Sequence, residues 1–409
     1  MSGLGGSALR RHLLQFARWG AIALVIWGLH GASVRRRAQS PAKLAAAREF
    51  FPAAARLLPP TRAGGWSAVL DADGRQLGWA VCTSPEADDL LGYAGPVPAL
   101  VAAGLDERVL GVGLLPNRET PANVRAITEY GFLDSWNDQP WQEAADLKAD
   151  AVSGSTSTCA AVTAGVRRRL RLAAGLDAPG RPAMVFSWRE ALSALVLAAA
   201  LLVGFWPRLA RRSGVRLALQ LPAIAWLGFW ATSFLSLALL AGWAADGVPW
   251  RALPMVALMA VLAGLLPVFT GRQFYCTHLC PHGAAQELVA RVSRWKRPVP
   301  ERLGRVLALV PGLLLGVMVA LVILGIAVPL EPFEPFSAYL RSTAWISLGL
   351  ALVGLAASLF VARAWCRYGC ATGALLRFLR RPGKAEGPGY GDGLLGVLAA
   401  LALAARLLA

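Results

Sequence analysis

Four of the six cysteines form two pairs with identical spacing, and these pairs are the strongest chemical signal in the sequence. Cys276 and Cys280 form the first C-x-x-x-C pair, and Cys366 and Cys370 form the second. This spacing places both sulfurs of a pair on one helical face or around one turn. Four converging thiolates would suit an iron–sulfur cluster or a structural zinc ion. Two separate dithiols, or buried cysteines that act only as small apolar residues, are the alternatives.

The two pairs occupy equivalent places in an internal repeat. FYCTHLCPHGAAQELVARVSR and AWCRYGCATGALLRFLRR share an aromatic residue before the first cysteine, a Gly-Ala step and a basic amphipathic tail. A repeat predicts two copies of one structural unit, which favours a shared metal or redox site. His278 and His282 interleave the first pair, but Arg367 and Thr372 stand in those neighbourhoods of the second. We therefore expect the histidines to pack rather than to bind metal, although ligation stays open.

A second candidate site lies at DAVSGSTSTCAAV, residues 150–162, where a Ser/Gly/Thr turn enters a helical pattern. Backbone N–H groups at a helix N-terminus are a natural phosphate site. The same residue types are ordinary helix caps, which is the more common explanation of such a segment. Cys82 and Cys159 stand outside the two pairs. They could form a disulfide in an oxidising compartment, or Cys159 could be a small core residue.

The composition is that of a membrane protein. Of 409 residues, 56% are hydrophobic and 16% are charged, whereas soluble proteins average about 25% charged. The formal net charge is +17, but most Lys and Arg flank apolar runs, where they determine topology. Helix-turn-helix and zinc-finger spacings are both lacking in the sequence, so we expect no nucleic-acid partner.

The apolar runs predict a membrane domain of helices. Residues 17–32 follow Arg10 and Arg11 and include Arg18 near their start, and we interpret them as a retained anchor rather than a cleaved signal peptide. Further candidate spans approach or exceed the roughly 20 residues that a bilayer requires; they are 189–206, 217–242, 252–270, 305–329, 343–362 and, more weakly, 392–408. The sequence thus predicts an all-α polytopic domain of about six or seven transmembrane helices.

The distribution of basic residues predicts the orientation. Three loops are rich in Lys and Arg, namely 207–216, 271–304 and 363–384. The intervening loops hold only Arg251 and Arg341. By the positive-inside rule, the cysteine-bearing loops are cytoplasmic, and the segment after the first span lies on the opposite side.

That segment reads as an α+β domain. WSAVLDADGRQLGWAVCT (66–83) and ALVAAGLDERVLGVGLLP (99–116) each predict strand, turn and strand, and 121–131 and 140–149 are helical in pattern. The predicted division of the chain is 1–39 for the basic segment and anchor, 40–182 for the extracytoplasmic domain, 183–384 for the membrane domain, and 385–409 for a linker and final helix.

Three segments resemble the FMN-binding domain of the RnfG/NqrC type: GYAGPVPALV (92–101), GVGLLPNRETPANV (111–124) and DAVSGST (150–156). In that family a flavin transferase attaches FMN to a threonine through a phosphoester. The resemblance implies Thr156 as the attachment residue. It also implies further cofactor-binding residues, namely Asp150, Ser153, Gly154, Ser155, Glu119, Thr120, Gly92 and Tyr93.

The whole arrangement resembles the NosR/NirI family, which joins such a domain to a membrane domain with two C-x-x-x-C-P-type motifs. The resemblance implies a protein of the bacterial inner membrane that passes electrons from a cytoplasmic or quinol donor, through a redox centre on the four paired cysteines, to covalent FMN. The acceptor would be an extracytoplasmic reductase such as nitrous oxide reductase, or its maturation machinery. The protein would be an electron-transfer component rather than a stand-alone enzyme. A redox-sensing regulator of reductase expression, or a flavin-free structural subunit with a zinc site, is the alternative.

Overall fold

The computed structural model describes residues 3–38, 40–60, 62, 64–177, 180, 184, 186–326, 333–340, 345–380 and 388–407. These residues form two compact units. The sheet unit comprises Ser33–Val185 and Asp246–Leu253, and the helical unit comprises Met1–Ala32, Phe186–Ala245 and Pro254–Ala409. An α+β unit with a small antiparallel sheet and a mostly helical remainder is confirmed. The predicted boundaries after residues 39, 182 and 384 remain predictions.

The sheet unit contains five antiparallel strands in sequential order. Helix α1 (Gly3–Ala38) and helix α2 (Ser40–Phe50) precede the strands β1 (Arg56–Leu57), β2 (Ser67–Leu70), β3 (Gln76–Cys82), β4 (Ala99–Ala103) and β5 (Val109–Leu114). Both predicted strand–turn–strand segments are therefore confirmed, as the hairpins β2–β3 and β4–β5. Short turns join the strands of each hairpin, which is why the local sequence was sufficient to predict them.

Strand β4 is buried along its whole length because both faces of the sheet are covered. Successive side chains point to opposite faces of a strand. Ala99, Val101 and Ala103 accordingly join a core cluster with the helices that follow the sheet. Leu100 and Ala102 join a second cluster that packs against α2.

Three helices follow the sheet: α3 (Pro121–Glu129), α4 (Trp141–Ala144) and α5 (Thr156–Ala173). The predicted helix at 121–131 is confirmed by α3. Only four residues of the predicted helical stretch 140–149 are helical, because it ends at Ala144. Helix α5 is longer than its pattern indicated, and its inner face joins the core through Val162, Val166 and Leu170.

The helical unit contains most of α1 and the helices α6 to α17. Their bounds are α6 (Trp188–Phe205), α7 (Pro207–Ala210), α8 (Ser213–Pro222), α9 (Leu237–Asp246), α10 (Pro254–Thr270), α11 (Phe274–His278), α12 (Pro281–Val292), α13 (Glu301–Ile323), α14 (Trp345–Phe360), α15 (Ala364–Tyr368), α16 (Ala371–Phe378) and α17 (Tyr390–Leu407). Within the described ranges, four helices are long and apolar enough to cross a membrane: Leu13–Val34 of α1, α6, α13 and α17. The shorter helices α9, α10 and α14 are also apolar. The predicted count of six or seven spans stays a prediction.

The structure corrects one predicted span. Residues 217–242 do not form one helix, because α8 passes into a π-helical segment, Ala223–Trp230, and residues 231–236 are non-helical before α9 begins. Pro222 at the end of α8 has no backbone N–H to donate, and Thr232 has a positive φ of 47°. Non-helical backbone in a membrane protein needs internal hydrogen-bond partners, and these partners belong to the candidate site. Parts of the predicted spans and linkers lie outside the described residues, namely 327–332, 341–344, 381–387 and 408.

Candidate functional site

The two cysteine motifs fold in the same way. In each, a one-turn helix carries the first cysteine, and the second cysteine caps the next helix, α12 or α16. The Cys280 sulfur accepts a hydrogen bond from the Gly283 N–H at 3.4 Å. The Cys370 sulfur accepts one from the Gly373 N–H at 3.1 Å. The predicted internal repeat is therefore visible down to individual hydrogen bonds.

All four paired cysteines line one cavity of about 260 Å³. Hydrogen bonds join the two motifs around it. Arg363 of the second motif donates a hydrogen bond to the Cys276 carbonyl oxygen, and Gln286 Nε2 of the first donates to the Cys366 sulfur at 3.2 Å. Residues about ninety positions apart in sequence thus face one space, as the repeat predicted.

The cavity fits a cluster better than a single ion. Within the described part of the chain, no three His, Cys, Asp or Glu side chains form a group that could hold one metal ion. A tetrahedral zinc site requires all four sulfurs at about 2.3 Å from the metal, whereas four irons and four sulfides occupy more space. Arg363 Nε and Gln273 Nε2 belong to side chains of the cavity wall and find no acceptor among the described residues. The sulfides of a cluster are suitable acceptors for such donors.

Burial, together with the neighbouring Cys366, raises the pKa of the Cys276 thiol to about 12. An empty site would therefore keep this thiol protonated at neutral pH. Metal binding requires the thiolate and releases the proton. The positive charge of bound iron would therefore stabilise the thiolate, which the protein environment alone does not.

Two segments outside the regular α-helices make hydrogen bonds to residues that line the cavity. The Tyr275 hydroxyl accepts a hydrogen bond from the Leu235 N–H at 2.8 Å. The buried Glu334 carboxylate accepts one from the Leu237 N–H at 2.7 Å and one from the Thr372 hydroxyl at 2.8 Å. The break between α8 and α9 and the segment 333–340 are thereby fastened to the cysteine motifs.

Gln286 and Glu334 were not among the site residues predicted from the sequence. Gln286 belongs to the amphipathic tail of the first motif, and Glu334 to a loop between predicted spans. The only signal was a polar residue close to long apolar runs. His282 is buried, with its Nδ1 atom 3.2 Å from the Tyr339 hydroxyl, and the His278 ring lies against Phe274. Neither histidine lines the cavity, as the packing interpretation predicts.

The second candidate site lies at the start of α5 in the sheet unit. Thr156 is the first residue of this helix and is exposed. Gly154 has a φ of +92°, a conformation that favours glycine, and an added Cβ there would meet no atom within 4 Å. Ser155 precedes the helix without capping it by its side chain. The Ser155 side chain therefore does not cap the first amides of α5. The open space at Gly154 would let a phosphate approach the backbone there. Asp150 and Ser153 are exposed on the same turn.

Glu119 connects the segments that the sequence analysis assigned to this site. Its Oε1 atom accepts a hydrogen bond from the Ala94 N–H at 2.9 Å, and its Oε2 atom accepts one from the Thr158 hydroxyl at 2.8 Å. The backbone of Tyr93 also donates to it. Burial raises the pKa of this carboxyl above its usual range.

Gly92 and Thr120 are also close to Glu119, for different reasons. An added Cβ at Gly92 would lie 2.4 Å from Glu119 Oε1, so only glycine fits without displacement. Thr120 is buried and precedes α3, where its carbonyl oxygen accepts the Asn123 N–H at 2.8 Å. Thr158 and Asn123, which the sequence analysis did not single out, belong to the same network; Asn123 Oδ1 lies 3.5 Å from Ser155 Oγ.

Cys82 and Cys159 are both free thiols in the structure. Cys159 lies in the core cluster on one face of the sheet, and its sulfur accepts the Val152 N–H at 3.4 Å. Cys82 packs against the cluster on the other face. Of the two open alternatives, the structure favours the core residue over the disulfide.

Comparison with known proteins agrees with both sites. Residues 92–171 match the family model described as FMN-binding domain. Residues 252–300 and 343–388 match the model described as 4Fe-4S binding domain, and these ranges include all four paired cysteines. The fold and the matches define a membrane protein with an FMN-binding domain and a 4Fe–4S binding domain.

Three curated proteins are similar to part of the chain. Protein NirI of Paracoccus denitrificans (strain Pd 1222) is 36% identical over 132 residues, which is 30% of this chain and 19% of that protein. Regulatory protein NosR of Stutzerimonas stutzeri is 28% identical over 138 residues, which is 31% of this chain and 19% of that protein. Regulatory protein NosR of Pseudomonas aeruginosa is 28% identical over 153 residues, which is 34% of this chain and 21% of that protein. These similarities confirm the predicted resemblance to the NosR/NirI family. The matched residues cover about a fifth of the length of each of these relatives. No solved structure matches the chain.

Proposed function

We propose that this protein transfers electrons between a 4Fe–4S cluster on the four paired cysteines and an FMN group bound covalently to Thr156. A membrane electron-transfer or regulatory role follows from the matched domains and relatives. The observation that carries the more specific proposal is the single cavity that both distant cysteine pairs line. A chain with one shared cysteine cavity and an FMN-binding domain holds both ends of an electron-transfer route.

At the cysteine end, the protein's own groups position the ligands. The Gly283 and Gly373 amides orient the second sulfur of each motif, and Arg363 fixes the backbone at Cys276. When bound, the cluster supplies reversible one-electron chemistry. Glu334 and Tyr275 hold the neighbouring non-helical backbone in place.

At the flavin end, the Thr156 hydroxyl would bear the phosphoester, and Gly154 would leave room for the phosphate. When bound, FMN accepts or donates one or two electrons, and its covalent attachment prevents loss by diffusion. Glu119 holds the turn before β4 against α5 through Ala94 and Thr158. The role of the protein is thus to position the cofactor and to set its environment.

The distribution of basic residues supports a cytoplasmic cysteine site and an extracytoplasmic FMN domain in a bacterial inner membrane. A hydrocarbon thickness of roughly 30 Å is long for one electron step. An intermediate carrier, such as a quinone, a second flavin or a partner subunit, would bridge it. We propose a quinol or cytoplasmic donor, a flavin transferase for FMN attachment, and an extracytoplasmic acceptor such as nitrous oxide reductase or its maturation machinery.

A second candidate function is regulation. Two of the similar proteins carry the name Regulatory protein NosR, and a membrane redox sensor would use the same cofactors to switch a partner. Sustained turnover separates the two functions, because a sensor does not need to pass electrons continuously. The third alternative, a zinc-binding structural subunit, is disfavoured by the lack of a single-ion site among the described residues.

The test is to express the full chain with a flavin transferase and to measure intact mass, in-gel flavin fluorescence and metal content. We expect a mass increase of roughly 438 Da, for FMN attached with loss of water. Thr156→Ala should lose it, whereas the adjacent Ser157→Ala should keep it. Iron should be present in the wild type and lost in Cys366→Ser. An unmodified protein that contains zinc in place of iron would refute the proposal.

A further inference from the structure

Gln286 is a fully buried side chain whose two ends both make hydrogen bonds at the cysteine site. Its Nε2 atom donates to the Cys366 sulfur at 3.2 Å and to the His282 carbonyl oxygen at 3.3 Å. Its Oε1 atom accepts the Trp365 N–H at 2.9 Å and the Ser358 hydroxyl at 3.1 Å. The amide is thus fixed in orientation, with its N–H donor directed at a sulfur of the other motif.

This hydrogen bond breaks the symmetry of the repeat. Gln286 lies six residues after Cys280, and the residue six places after Cys370 is Leu376, which is buried and apolar. Each copy has a backbone N–H bond to its second cysteine, to Cys280 in the first copy and to Cys370 in the second. The side-chain bond to Cys366 comes from the first copy alone. The equivalent position of the second motif is filled by a buried leucine, so packing alone does not require a glutamine at residue 286.

Hydrogen bonds to ligand sulfurs are among the factors that set the reduction potential of an iron–sulfur cluster. Reduction adds one electron to the cluster, with no bond formed or broken, and the added negative charge spreads onto the sulfurs. A donor directed at a sulfur therefore stabilises the reduced form more than the oxidised form, because hydrogen bonds to charged acceptors are stronger.

We propose that Gln286 is a positioning residue that holds the Cys366 sulfur and raises the reduction potential of the bound cluster. This inference rests on the proposed function, since it requires the cluster. A purely structural Gln286 would change stability and iron content when mutated but would leave the potential unchanged. The potential is therefore the measurement that distinguishes the two roles.

The experiment is a redox titration of the full chain in detergent, with dithionite as reductant and electron paramagnetic resonance as the readout of reduced cluster. Gln286→Leu places in the first motif the residue that the second already has. Gln286→Met keeps the approximate length of the side chain and removes the amide donor without adding a charge, so it serves if the leucine variant does not fold. Ser358→Ala is the matched control, because it removes a bond to the Oε1 end and leaves the Nε2 donor in place.

We expect both Gln286 variants to lower the equilibrium constant for cluster reduction about tenfold, which lowers the reduction potential by about 59 mV for a one-electron couple. Ser358→Ala should titrate like the wild type. Variants that bind the wild-type amount of iron and titrate at the wild-type potential would overturn this inference alone. A wild-type protein without iron and without a signal would overturn the proposed function and this inference with it.

Discussion

Gly92 tests how tightly the FMN site is built. In Gly92→Ala the new Cβ would lie 2.4 Å from Glu119 Oε1 and 2.9 Å from Val97 Cγ2. Both distances are far shorter than ordinary contacts, so the buried carboxylate must move by about 1 Å, given the steep repulsion at such separations. That movement would break or weaken its bonds to the Ala94 N–H and the Thr158 hydroxyl.

The magnitude follows from these contacts. Overpacking a core costs about 1–3 kcal/mol, and a buried donor that loses its acceptor costs about 1–3 kcal/mol. Because the carboxylate can keep one of its partners while it moves, we expect the free energy of unfolding of the sheet unit to fall by about 3 kcal/mol. At 1.36 kcal/mol per factor of ten, amide hydrogens protected by that unit should exchange about a hundredfold faster.

The assay is hydrogen–deuterium exchange with mass spectrometry on the full chain, which resolves β4 peptides from the helical unit. The matched control is Gly165→Ala in α5, where the nearest atom to the new Cβ would be Ala87 Cβ at 3.7 Å. That variant should exchange more slowly than the wild type, because alanine is favoured over glycine in a helix by about 1 kcal/mol. If Gly92→Ala exchanges like the wild type, Glu119 is not held as tightly as the structure implies.

Two further predictions follow from buried hydrogen bonds. Tyr275→Phe removes the acceptor of the Leu235 N–H, which should cost about 1–3 kcal/mol and speed exchange at that amide; unchanged exchange there would contradict the bond. The folded sheet unit holds a proton on Glu119 more strongly than the unfolded chain does, because burial raises its pKa. Its contribution to stability is therefore fully present below the ordinary glutamate pKa and is lost as the pH rises through the raised value. Chemical denaturation of the wild type and of Glu119→Gln across this pH range should show a smaller loss of stability in the variant, and identical pH profiles would contradict a raised pKa for Glu119.

The sheet hairpins could be predicted from the sequence because their signals are local. Ser67–Leu70 and Gln76–Cys82 flank a turn of Asp and Gly residues, so alternation and turn chemistry determine the pairing. The cysteine cavity could be predicted for another reason, since two copies of one motif imply two copies of one local structure. The hydrogen bonds from Gly283 and Gly373 to the second cysteines show that the copies agree in detail.

The interrupted span could not be predicted from hydropathy alone. Residues 217–242 are apolar almost throughout, and hydropathy does not record that Glu334, almost a hundred positions later, accepts the Leu237 N–H. The same limit applies to Gln286, whose partner is a sulfur eighty positions away. Both residues depend on tertiary contacts between segments that are distant in sequence, and those contacts override local pattern.

The proposed function requires that electrons reach the FMN group through the four paired cysteines. The most direct measurement uses inverted membrane vesicles, with the cytoplasmic face outward, and a membrane-impermeant reductant such as titanium(III) citrate. Flavin absorbance then reports the opposite side. We expect the flavin to bleach in the wild type and to stay oxidised in a Cys366→Ser protein that still carries its FMN on Thr156. Equal bleaching in both proteins, or none in a wild type that contains both cofactors, would contradict it.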